Sequence, residues 1–70
     1  MENQININLK IAELLAKGLT QKEASDELKR LGIVPNSLSS IEKKLKSMRS
    51  EYEAKTVIHL FVKLTKKGLI

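Results

Sequence analysis

The chain has 70 residues, enough for one small domain around one core. Its 13 Lys plus Arg outweigh 8 Asp plus Glu, for a net charge of +5 and a sequence pI near 9.7, a balance that favours a polyanionic partner. With no cysteine and one histidine, a disulfide framework and a cysteine-held zinc are excluded, and neither a metal nor a cofactor is expected.

Four helical segments are predicted, in a chain without internal repeats or low-complexity tracts. The first runs from about Ile7 or Asn8 to Lys17. Ile7, Ile11, Leu14, Leu15 and Gly18 recur on one helical face, Asn6 or Asn8 can cap the start, and Gly18 suits a left-handed C-terminus. The second opens at Thr20, which with Glu23 has the spacing of a capping box: the Thr hydroxyl accepts from the Glu23 amide, and the Glu carboxylate returns to the Thr20 amide. Leu19 can staple that start. Ala24, Leu28 and Leu31 are expected to face inward, Gly32 to end the helix and Pro35 to prevent an immediate restart.

The third helix is capped by Asn36 or Ser37 and reaches Glu51 or Tyr52. At roughly 100° per residue, Leu38, Ile41, Leu45, Met48 and Tyr52 form an apolar stripe. The opposite side carries Asn36, Ser39, Lys43, Lys46, Ser47 and Ser50, flanked by Ser40 and Lys44, with no acidic residue at its centre. Glu42 and Arg49 sit at its edges. A solvated helix surface usually mixes Glu with Lys, and Ser is a mediocre helix former. The face reads either as an ordinary solvated helix surface, which this composition weakens, or as one that meets an anionic surface.

The fourth helix runs from a Thr56 cap to Lys67, with Gly68 as terminator. Val57, Leu60, Phe61 and Leu64 make a core stripe, while Ile58, Val62, Thr65 and Leu69 make a second, adjoining one. The combined apolar arc is wider than a surface helix of a small domain needs. The second stripe reads as a homodimer contact, or alternatively as Ile58 and Val62 closing over the first helix. His59, Lys63 and Lys66 fall on the polar side. Met1-Glu-Asn-Gln is no signal peptide, and no apolar run approaches the ~20 residues that span a bilayer, so a cytoplasmic protein without a membrane partner is expected. No arrangement of acids, nucleophiles or His supports an enzyme.

Three stretches carry a resemblance to the LuxR/GerE family of bacterial DNA-binding domains. Leu9-Lys-Ile-Ala-Glu-Leu-Leu-Ala-Lys-Gly-Leu-Thr-Gln-Lys-Glu-Ala24 looks like that family's first helix, its Gly-Leu-(Ser/Thr) joint and the opening of its second helix. Ile41 through Met48 to Tyr52 is similar in apolar spacing to its recognition helix, and His59 through Ile70 to its fourth helix with a Gly-Leu-Ile ending. Two local departures stand out: the stretch from Lys29 to Asn36 looks about three residues longer than the short turn of such motifs, and Ser25 replaces a small Ala. The extra length leaves open whether Ile41 or Leu38 takes the first buried aliphatic position.

The resemblance implies an all-α, four-helix LuxR-like helix-turn-helix domain spanning 1–70, a tri-helical core plus a dimerisation helix. It implies double-stranded DNA as partner, with the third helix entering the major groove N-terminal half first. Asn36, Ser39, Ser40, Lys43 and Ser47 are then candidates for base edges, Ser37 for a further DNA contact, and Lys44 and Lys46 for phosphates. Thr20, Gln21 and Lys22 present free amides and a cation to a further phosphate. Ile58, Val62, Thr65 and Leu69 would form the dimer interface. The family's domain usually follows a receiver or ligand-binding domain, which this sequence lacks, so a signal would arrive through a separate regulatory protein, expression level or oligomerisation. Met1 and the Gly-Leu-Ile ending suggest a complete chain. The rival reading is a protein-interaction module that docks a partner on the apolar fourth helix. A basic amphipathic helix on a membrane surface fits less well, because the apolar arc must first cover the core.

Overall fold

A computed structural model describes residues 6–70; the reading of Met1–Gln4 as no leader lies outside them. Four α-helices follow one another: α1 (Ile7–Ala16), α2 (Gln21–Arg30), α3 (Leu38–Glu51) and α4 (Val57–Lys66). No strand occurs among the described residues, so the all-α expectation holds.

Each helix is started by a polar side chain that accepts one of the amides left free in a first turn. Asn6 accepts from Leu9, Thr20 from Glu23, Ser37 from Ser40 and Thr56 from His59. The Thr20–Glu23 capping box closes in both directions, at 3.1 Å for the Glu23 amide to Thr20 Oγ1 and 2.9 Å for the Thr20 amide to Glu23 Oε1.

The four C-termini share one device. The amides of Leu19, Ile33, Ala54 and Leu69 return to the carbonyls of Leu14, Leu28, Arg49 and Leu64, at 3.3, 2.9, 2.8 and 2.9 Å. A second bond pairs the preceding amide with the carbonyl three residues back, which completes a Schellman motif. The motif requires a left-handed residue before the returning amide. Three helices supply Gly18, Gly32 and Gly68, but α3 supplies Glu53, with φ 55°. A Cβ at any of the three glycines would meet nothing within 4 Å, so they are required by backbone conformation and not by space.

The core is a single cluster of Ile11, Ala12 and Leu14 from α1, Ala24 and Leu28 from α2, Ile41, Leu45 and Met48 from α3, and Leu60 and Leu64 from α4. The largest of these lose all contact with water, each contributing roughly 1.5–3 kcal/mol through burial. Ile7, Leu15, Leu19, Ile33, Tyr52 and Phe61 pack partly buried around the edge. Two residues expected inside lie outside. Leu31 is exposed because the chain has already turned at Gly32, and Ile33 takes up the apolar contact instead. Leu38 is 41% exposed, which settles the register of α3: Ile41 is its first buried aliphatic residue. The first turn of α3 overhangs the core.

Two non-local contacts fix α3. At its entry, the buried Ser25 hydroxyl donates to the Asn36 carbonyl, and Asn36 Nδ2 donates to the Ile33 carbonyl at 2.9 Å. The Val34–Pro35 peptide within this loop is cis. At its exit, Lys63 Nζ donates to the carbonyls of Tyr52 (2.9 Å) and Glu53 (3.2 Å). Lys63 and His59, expected on a solvated side of α4, are thus half-buried against the α3–α4 connection, where His59 Nδ1 accepts from the Lys55 amide at 3.1 Å.

Candidate nucleic-acid interface

Because Ile41, Leu45 and Met48 are buried, the opposite side of α3 faces outward by geometry alone. Ser39, Lys43, Lys46, Ser47 and Ser50 are all exposed there, while Ser40 and Lys44 are half-buried on one flank. Ion pairs among the described residues join Lys10 to Glu13, Lys22 to Asp26 and Arg30 to Glu27, and none involves a lysine of α3. The α3 lysines therefore keep their charge available. Glu27 is held below the ordinary carboxylate value by the hydrogen bond from Arg30, and Arg30 is correspondingly raised, so that pair belongs to the α2 surface.

Several sequence candidates turn out to have structural partners. Ser37 Oγ accepts from the Ser40 amide at 3.1 Å and donates to Ser40 Oγ at 2.9 Å, so these two hydroxyls are first committed to starting α3. Asn36 does not lie on the outward face: its side chain is turned into the loop, half-buried and donating to Ile33. Thr20 is held in its capping box, and Lys22 sits 3.3 Å from Asp26 one turn along. The free outward set is thus narrower than the sequence suggested: Ser39, Lys43, Lys46 and Ser47, with Ser50 added.

Beside this face lies an open groove of about 500 Å³ between the N-terminus of α2, α3 and the start of α4. Gln21, Glu42, Lys46, Arg49 and Val57 are among its walls. Arg49 Nη2 donates to the Lys55 carbonyl at 3.1 Å, whereas its Nε is buried without a partner among the described residues. Sequence reasoning placed Glu42 and Arg49 only at the edge of the helix. Their spacing with Lys46 marks the side of α3 turned towards α2, but only the packing reveals that a groove runs there.

On α4, Ile58 is 73% and Val62 45% exposed, and Thr65 and Leu69 are exposed with them. The alternative in which Ile58 and Val62 close over α1 is therefore overturned: Leu60 and Leu64 make the inward face, and the second stripe is left uncovered. The described residues offer no cluster suited to a metal ion and no helix long and apolar enough to cross a membrane. No family model, curated protein or solved structure matches the chain.

Proposed function

We propose that this protein is a sequence-specific reader of double-stranded DNA, a small cytoplasmic transcriptional regulator without chemistry of its own. It inserts α3 into the major groove and pairs through α4. The observation that carries the reading is the outward face of α3, where Ser39, Lys43, Lys46 and Ser47 stand free of acidic partners on a helix whose other side buries Ile41, Leu45 and Met48. Small hydroxyl side chains permit close approach, and lysines donate to guanine edges or phosphates. The same reading follows from the resemblance to the LuxR/GerE family.

A two-fold pair through α4 would set two copies of α3 on half-sites about one turn of B-DNA, ~34 Å, apart. The uncovered Ile58–Val62–Leu69 stripe supplies an apolar contact for that pairing, and a two-fold pair predicts a near-palindromic target. The same stripe favours the second reading, in which α4 docks a different protein and DNA plays no part.

The test is selection from a random duplex pool at ~150 mM salt, where non-specific phosphate attraction is already weakened, with Lys43→Glu alongside. An inverted repeat recovered by the native protein and lost by the variant is the expected result. Binding that persists unchanged in Lys43→Glu removes α3 as the reader. Recovery of no sequence, with weak binding that fades with salt, moves the function to the protein-docking reading.

A further inference from the structure

The groove between the start of α2, α3 and the start of α4 shares only Lys46 and Ser50 with the outward face of α3. One wall comes from α3 alone. Glu42, Lys46 and Arg49 follow at i, i+4 and i+7, a spacing that keeps them together on one side of the helix. Glu42 and Lys46 are exposed, and none of the ion pairs among the described residues involves any of the three. Arg49 is tied to the α3–α4 connection by its Nη2 bond to the Lys55 carbonyl, and its buried Nε has no partner among the described residues. Apolar lining is added by Leu45, which is buried, and by Ala54 and Val57, which are half-buried. An acid, two bases and an apolar surface thus meet in one open cavity.

We infer that this groove binds a free α-amino acid with an apolar side chain, its ammonium on Glu42 and its carboxylate on Lys46 and Arg49. The occupant follows from charge complementarity. An anion alone, a phosphate included, would gain the two bases but meet the Glu42 carboxylate. A cation alone would gain Glu42 and meet both bases. A ligand that carries both signs satisfies all three. Side chains at i and i+4 stand about 5–6 Å apart at Cβ, a span that an ammonium and a carboxylate held on one carbon can bridge. A direct Glu42–Lys46 pair, exposed as both residues are, contributes too little to keep such a ligand out. Leu45, Ala54 and Val57 then cover the ligand's side chain, and about 500 Å³ holds a molecule of this size. Because Lys46 also belongs to the outward face of α3, the ligand's carboxylate competes there with a DNA phosphate. That competition rests on the DNA-reading function proposed above; the amino-acid site does not.

The experiment titrates the full chain with L-leucine and follows its backbone amide chemical shifts by NMR. Isocaproate, which lacks the ammonium, isoamylamine, which lacks the carboxylate, and inorganic phosphate are titrated alongside. Leucine is expected to give saturable shifts centred on the groove, and each truncated analogue to bind about tenfold more weakly, the equivalent of ~1.4 kcal/mol. Glu42→Gln, at an exposed site outside the core, is expected to bind leucine no better than isocaproate. No saturable shift with leucine overturns the inference. Equal binding of leucine and isocaproate, or the same shifts with phosphate, overturns it in favour of a plain anion seat. Groove shifts that follow protein concentration instead of leucine overturn it in favour of a second copy of the chain. Leucine is further expected to weaken binding to the selected duplex by the same factor by which the duplex weakens leucine. Leucine binding with unchanged DNA affinity overturns the competition through Lys46, and failure to select any duplex overturns the DNA reading while the amino-acid site stands.

Discussion

Ser25 is the most instructive residue to perturb, because it connects helix packing to the placement of α3. Its hydroxyl is buried and donates to the Asn36 carbonyl eleven residues away. Ser25→Ala keeps the Cβ that packs between helices and deletes only that donor. A neutral hydrogen bond contributes about 0.5–1.5 kcal/mol net, and a buried acceptor left unpaired adds about 1–3 kcal/mol. Asn36 is half-buried, so water can reach its carbonyl and offset much of the second cost. A loss of about 1 kcal/mol is expected, which in a domain of this size lowers Tm by roughly 4–8 °C. Urea unfolding followed by circular dichroism measures it, with an unchanged m-value showing that the folded state stays compact. DNA affinity should fall further than stability accounts for, since the loop before α3 loses its anchor. A Ser25→Ala protein as stable as the native one would refute the reasoning, and would mean that the site is selected for small size alone.

Val62→Asp should give a folded monomer sedimenting as one 7.9 kDa chain, because the side chain is exposed and its replacement burdens only an interface; a variant that still sediments as a dimer removes that interface. Glu53→Gly should stabilise the fold by up to about 1 kcal/mol, since a non-glycine residue in the left-handed region costs roughly 1–2 kcal/mol and part of the gain is lost to a freer unfolded chain. Thermal unfolding decides it, and a lower Tm would show that the Glu53 side chain contributes more than its backbone costs. Glu27, held below its ordinary value by Arg30, contributes stability that is present above that ordinary value and fades as pH falls through the lower folded one. Glu27→Gln should therefore lower stability slightly at neutral pH, make no difference below the folded value and so flatten this part of the acid limb of a stability–pH curve; an unchanged acid limb would assign the slope to other carboxylates.

Local devices were the legible part of the sequence. The Thr20–Glu23 box, the Ser37 and Thr56 caps and the three glycine terminators each depend on residues within one turn of one another, so spacing alone reveals them. Amphipathic spacing likewise placed Ile41, Leu45 and Met48 inside. A helical wheel gives azimuth but not where the neighbouring helix stops, which is why Leu31 and Leu38 were expected in a core that ends before reaching them. Ser25 with Asn36, and Lys63 with Tyr52 and Glu53, join residues ten or eleven apart through loops whose paths local spacing does not specify. Glu53 was invisible for a different reason: its residue type does not advertise a left-handed backbone. Of the proposed interface, the exposure of Ser39, Lys43, Lys46 and Ser47 followed from the wheel, whereas the inward turn of Asn36 did not.

The contact of Lys63 with the end of α3 offsets the electrical asymmetry that a helix has of itself. A helix carries about half a positive charge at its start and half a negative charge at its end. Lys63, donating to the last carbonyls from α4, sets its own cation against the negative pole, while the positive pole at Leu38 stays open to solvent. An anion approaching α3 is thus attracted at its start and no longer repelled at its end, and this evening-out of the helix field is set by a residue on a different helix.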